Sequence, residues 1–410
     1  MNVSPGFSLP LRSIAPYFVA AVLFNIASMS FLFFLQSDIG LRDFRVIGWV
    51  HAYMIGFVMM VIIGAMAQLS VVVGEIHHRY PKVFRWIGPM LGSGTAVLVI
   101  GFVYNPFWLG IGGGLILVAL AIFAFNLFAT LRSSRRRTAV TRSMQWSALF
   151  LGVGLGIGMM MALGYAGVVS IDPTQWRLGH IFAVFGGYVM INIMGVSTVL
   201  LPMFGACNRV SDNDYRISFY TMVMAAGMML FASVVQIEMI EYAALWLGIG
   251  SVIYYMFRVY RIFTSKKRGY SDIWERSVAV AFIALALSVG SGIYGVVSGS
   301  EKAQTISFWF LTAGFLGFLI TAHLYKIVPF LVWFERYAPY VDEREVPMLH
   351  QLLPARLANI QWSFAVAGSV MIAAAMGSGF SVLWQIGALL LVLSGVVLLA
   401  ILIKVLGDKL

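Results

Sequence analysis

A single cysteine, Cys207, in 410 residues excludes an internal disulfide and any cysteine-ligated iron–sulfur or zinc cluster held within the chain. Charge is also scarce. Asp, Glu, Lys and Arg make up 10% of the residues, against about 25% in a soluble domain. No Asp or Glu lies well inside an apolar run, so no acidic proton-entry path is written into the sequence. Nucleotide-binding loops, zinc-protease motifs and serine or cysteine nucleophile constellations are missing too. The short alternating strands of an outer-membrane barrel are absent. The leading segment MNVSPGFSLPLRSIAPYF carries no short apolar region followed by a small-residue cleavage site, so no cleavable signal is expected.

What remains is hydrocarbon. The chain is 61% hydrophobic, with a mean hydropathy of +0.91. A run of about 18 or more apolar residues crosses a bilayer as a helix. Twelve such runs are expected, near 14–36, 46–74, 85–104, 107–130, 144–170, 176–205, 216–237, 240–264, 274–298, 304–334, 355–378 and 380–407. Lipid admits only structures that satisfy their own backbone polar groups. The expected fold is therefore an all-α integral membrane bundle of twelve transmembrane helices, a single membrane domain over 1–410, with the lipid bilayer as its first partner.

The net charge of +11 follows from loop placement. Arg79, Lys82 and Arg85 follow the second run. Arg132, Arg135, Arg136, Arg137 and Arg142 follow the fourth. Arg258, Arg261, Lys266, Lys267 and Arg268 follow the eighth. Loops after the odd-numbered runs from the fifth onward carry few basic residues, chiefly Arg177 and Lys302. The positive-inside rule then puts the even-numbered exits and both termini in the cytoplasm. This accounts for the basic balance without a nucleic-acid role.

The most basic loops divide the runs into fours, giving repeat units at about 1–137, 138–268 and 269–410. The second run of each unit shares a spacing. Gly56-Phe57 is followed eight residues on by Gly64, Gly187-Tyr188 by Gly195, and Gly314-Phe315 by Ala322. Small residues eight apart lie near one helix face and permit close approach. Seven residues further come Val71, Pro202 and Pro329, and a late proline should bend or end its helix.

These same three runs carry histidines: His51, His180 and His323. Imidazole is the commonest metal and haem ligand, and ionisable groups at bilayer depth are rare and functional by default. The alternative for His51 is a hydrogen bond to a neighbouring helix, for His180 an interfacial position, and for His323 helix packing or a contact with a quinone or a lipid headgroup. His51 lies five residues before its glycine and His180 seven before its own, an offset of about 3 Å along a helix. Both sit near the outer face, where they can share a haem or metal. His323 lies nine residues after Gly314, about 21 Å deeper than His51. It is a separate cofactor-binding candidate. Lys326 is the one clear interior charge and is read as snorkelling to the surface. His77 and His78, in the basic loop EIHHRYPKVFR, read as surface residues, and His350 as a loop residue.

Twelve runs in three four-helix units, with outer histidines on the second and sixth, resemble the haem–copper oxidase catalytic-subunit superfamily. The local motif is closer to its reduced relatives, the cytochrome oxidase subunit I-like and NnrS-type proteins, which show His-x-His-x-x-x-x-Gly-aromatic at the head of a span. Here Trp49 and His51 precede Gly56, His180 and Phe182 precede Gly187, and Ser307 and Trp309 precede Gly314. The stretch from Tyr325 to Trp333 also resembles a segment of these proteins. The resemblance implies a pseudo-threefold arrangement of the units and a haem held by His51, His180 or His323. It further implies a bacterial-type inner membrane, and a place in electron transport or nitric-oxide response beside other respiratory subunits, a cytochrome or a quinol. The departures are also specific. The seventh run has no histidine pair for copper, and Tyr325 stands where a second histidine of the tenth would be. Copper and oxygen reduction are therefore not expected. A haem-free transporter, or a scaffold or assembly protein of a respiratory complex, is the alternative.

Overall fold

A computed structural model describes residues 7, 9–38, 40–134, 138–208, 211–267, 269, 271–341 and 343–408. Arg135, Arg136, Arg137 and Arg268 of the basic loops, and most of the first eight residues, lie outside that set. The chain is 85% helical, with no strand among the described residues. Twelve helices are long and apolar enough to cross a membrane. They are α1 (Leu11–Phe34), α2 (Phe44–Gly74), α3 (Pro81–Val103), α4 (Phe107–Arg132), α5 (Ala139–Tyr165), α6 (Pro173–Gly205), α7 (Tyr215–Val235), α8 (Glu238–Phe263), α9 (Ile273–Ser298), α10 (Glu301–Arg336), α11 (Ala355–Ser378) and α12 (Ser381–Gly407). The protein is an all-α, twelve-span membrane protein, as its apolar runs predict.

Polar residues in the loops mark the helix starts. Asp43, Asp172, Asp272 and Ser300 accept hydrogen bonds from backbone N–H groups in the first turns of α2, α6, α9 and α10. Thr138 and Thr141 form a reciprocal capping box on α5. Gly299 and Gly379 close α9 and α11 with φ of +69° and +80°, a region that suits glycine. Pro202 sits three residues before the end of α6, as expected. Pro329 does not end α10, which runs seven residues further to Arg336.

The helices form two compact units: 66–269 with the first nine residues, and 10–65 with 270–410. Within the first unit, α3 and α4 form a hairpin so close that a Cβ on Gly112 would stand 2.4 Å from the backbone nitrogen of Leu98. Within the second, α11 and α12 do the same: a Cβ on Gly368 would lie 2.9 Å from the carbonyl oxygen of Gly387. Lipid tails give helices no hydrophobic reason to associate, so such backbone approach supplies the van der Waals contact instead.

The glycine spacing of α2, α6 and α10 has a common structural meaning. Each glycine receives a residue of the preceding helix. A Cβ on Gly56 would meet the ring of Phe24 in α1, and one on Gly187 the ring of Phe150 in α5, each at 2.4 Å. A Cβ on Gly314 would meet the methyl of Ala284 in α9 at 2.8 Å. Two turns on, Gly64 faces Tyr17 and Phe18 of α1, and Gly195 faces Ser143 of α5. The same helix pair is thus built in the same register at successive places in the chain.

Candidate functional site

In α2, α6 and α10 the α-helix widens to a π-helix around the Gly-aromatic pair. The π segments are Ala52–Met59, Phe182–Met190 and Phe310–Leu316. π turns are rare and occur often at functional sites. His51 is the last α-helical residue before the first segment, and His180 lies two residues before the second. His323 lies seven residues beyond the third.

All three rings are half-buried, and each places Nδ1 against a backbone carbonyl. A carbonyl only accepts, so Nδ1 carries the proton and Nε2 is the basic nitrogen of the neutral ring. For His51 the acceptor is Ile47 at 2.8 Å, and for His323 it is Leu319 at 2.7 Å. Both are one turn back on the residue's own helix. His180 instead reaches across to α5, with Nδ1 2.9 Å from the Gly154 oxygen. Its ring lies over Gly158, where a Cβ would come within 2.8 Å of Cε1.

Ser307 shows what that position does elsewhere in the chain. It stands seven residues before Gly314, as His180 stands seven before Gly187. Its hydroxyl donates to the Ser288 oxygen of α9 at 2.8 Å, and a Cβ on Gly292 would meet that hydroxyl at 2.8 Å. The carbonyl and glycine of α9 are spaced as Gly154 and Gly158 are in α5. His180 and Ser307 therefore make one and the same interhelical bond with different side chains.

Aromatic rings lie two residues to either side of His51 in the chain, and a ring and an ion pair lie near His323. Trp49 stacks on Tyr53 at 5.7 Å and on Trp309 at 5.8 Å between centroids. Trp274 of α9 meets the His323 ring edge-on at 6.2 Å. One turn below, Lys326 pairs with Asp272, Nζ to Oδ2 2.7 Å. Its ammonium group thus reaches the carboxylate that also caps α9, at the head of that helix.

The loop histidines divide. His77 is exposed, as read from the sequence, and packs on Phe7. His78 is buried, contrary to its surface reading. Its Nε2 donates to the Ala67 oxygen at 2.6 Å, and its ring meets Phe84 edge-on. Burial holds its pKa below the usual histidine value, and the bond to Ala67 opposes that only in part. The loop is drawn inward because the N–H groups of Arg79 and Tyr80 donate to Thr130 and Asn126 of α4. No short-range sequence signal announces those distant partners. His350 lies in the exposed turn Leu349–Gln351.

His51 and His323 belong to one compact unit and His180 to the other. Among the described residues, no three His, Cys, Asp or Glu side chains gather as a metal site. No protein-family model matches the chain, and no curated protein matches it.

Proposed function

We propose that this protein is an oxidase-like membrane protein that binds haem through intramembrane histidine and serves electron transfer or nitric-oxide response, without reducing oxygen itself. The observation that carries the reading is the shared tautomer. At His51, His180 and His323 a backbone carbonyl holds the Nδ1 proton and leaves Nε2 as the donor nitrogen. Metal-binding histidines are oriented in this way by an outer partner on the second nitrogen. Two of the three also flank π turns, which reset the direction in which following side chains project. A bound haem would supply the redox and small-ligand chemistry. The chain would supply a fixed imidazole, with the Trp274 ring against it in the case of His323.

An absorption spectrum of the purified protein with haem extraction tests this. A Soret band is expected, lost in the alanine variant of the ligating histidine and kept in the other two. Protein purified from haem-replete membranes with no Soret band would overturn the reading. No sustained oxygen consumption is expected with a reduced cytochrome or quinol as donor, because the histidines for copper are absent from α7 and Tyr325 replaces one in α10.

A second reading has its own observation. Ser307 makes the bond that His180 makes, so an imidazole is not required at that position for helix packing. A haem-free transporter or scaffold in which His180 is purely structural draws support from that equivalence. The same spectrum separates the two readings.

A further inference from the structure

Within the unit formed by 10–65 and 270–410, polar side chains from several helices converge on one cavity. They include Asn25 of α1, Tyr53 of α2, Gln361, Trp362 and Ser369 of α11, and Ser394 of α12. The space open to a water-sized body is about 30 Å³. Apart from the Tyr53 phenol, no acid or base lines it.

Some of this polarity is settled within the protein. The Tyr325 hydroxyl donates to Gln361 Oε1, and Gln361 Nε2 donates to Ser394 Oγ at 2.7 Å. That chain fixes the glutamine. The Tyr53 hydroxyl, the Asn25 amide and the Ser369 hydroxyl have no hydrogen-bond partner among the described residues. The buried indole N–H of Trp362 has none either. Tyr53 is 1% exposed and is held by rings on both sides: Trp49 at 5.7 Å and Phe57 at 5.3 Å. Its hydroxyl is given room by Gly317, where a Cβ would stand 2.8 Å from that oxygen.

Buried hydroxyls and amides are nearly always hydrogen-bonded, and a bilayer core offers no bulk water to do it. Several partnerless groups on one cavity need an occupant that donates and accepts. The occupant must be uncharged, because no ionised side chain lines the walls to compensate a buried ion. It must also be small, because about 30 Å³ of such space holds only one or two waters.

We propose that this cavity is an intramembrane water site, with Tyr53, Asn25 and Ser369 as its hydrogen-bonding partners. Buried waters typically make about three such bonds to polar groups that would otherwise be unsatisfied. The inference stands apart from haem binding and uses none of the three intramembrane histidines.

X-ray radiolytic footprinting of the full chain in nanodiscs, in water enriched in oxygen-18, tests it. Radicals formed from a bound water oxidise the side chains beside it. Tyr53 and Met29, both against the cavity, should be oxidised several-fold faster than the equally buried Phe123 and Met144. Equal rates at the two sets would overturn the proposal. Gly317→Ala should remove the excess at Tyr53 by filling the space at its hydroxyl. If that variant does not fold, Ser369→Ala removes one water partner without adding bulk and should lower the excess at least twofold. An excess unchanged in the variant that folds would also overturn the assignment.

Discussion

His180 shows how much one side chain's meaning depends on its neighbour. Its bond to the Gly154 oxygen links α5 to α6, and such bonds are worth about 0.6 kcal/mol in membrane helices. His180→Ser should therefore insert and fold with a thermal midpoint near that of the parent, since Ser307 performs this task on α9. His180→Val, which removes the donor, should unfold at a lower temperature in detergent. His78 makes a pH prediction with a definite sign. Its folded pKa lies below the ordinary histidine value because the ring is buried. As pH falls below about 6.5, the unfolded chain takes up a proton that the folded chain resists. His78 thus adds stability that is fully present above that pH and is lost progressively below it. Melting curves from pH 8 to 5 should show a steeper acid loss in the parent than in His78→Gln. Equal slopes would mean that the ring does not stay neutral in the folded protein.

At the scale of the helix, the repeated unit is a pair: a bulky residue on one span seated over a glycine on the next. Phe24 on Gly56 and Phe150 on Gly187 are the two aromatic cases, each at 2.4 Å, and each glycine sits within a π segment. Gly187→Ala would place a methyl 2.4 Å from the Phe150 ring. Overpacking of this kind costs about 1–3 kcal/mol. The double variant Gly187→Ala with Phe150→Ala should recover part of that loss. A chemical-denaturation cycle on the four proteins measures the coupling, and strict additivity would show that the contact carries no strain. The glycine positions and their spacing were legible in the sequence. The π turns were not, because a change from i→i+4 to i→i+5 bonding leaves the apolar pattern almost untouched.

For the whole molecule, twelve crossings return the chain to the side from which it started. Residues before α1 and after α12 should therefore lie on one face of the membrane, and the positive-inside rule predicts that this face is the cytoplasmic one. A reporter active only in the periplasm and fused after Gly407 should be silent, while the same reporter in the loop between α5 and α6 should be active. The membrane class, the number of spans and their approximate limits came from the sequence alone, because desolvation of a helix is summed over consecutive residues; the fifth span, expected at 144–170, lies at Ala139–Tyr165. The three histidines stood out for the same reason, as polar exceptions in apolar runs. Tertiary structure alone decided their surroundings. His180 meets a carbonyl 26 residues away, Lys326 a carboxylate 54 away, and the Tyr80 N–H an amide 46 away. The cavity beside Tyr53 draws on helices from both ends of the chain. Such contacts depend on which helix faces pack together, and an apolar pattern that runs nearly all round a helix does not specify a face.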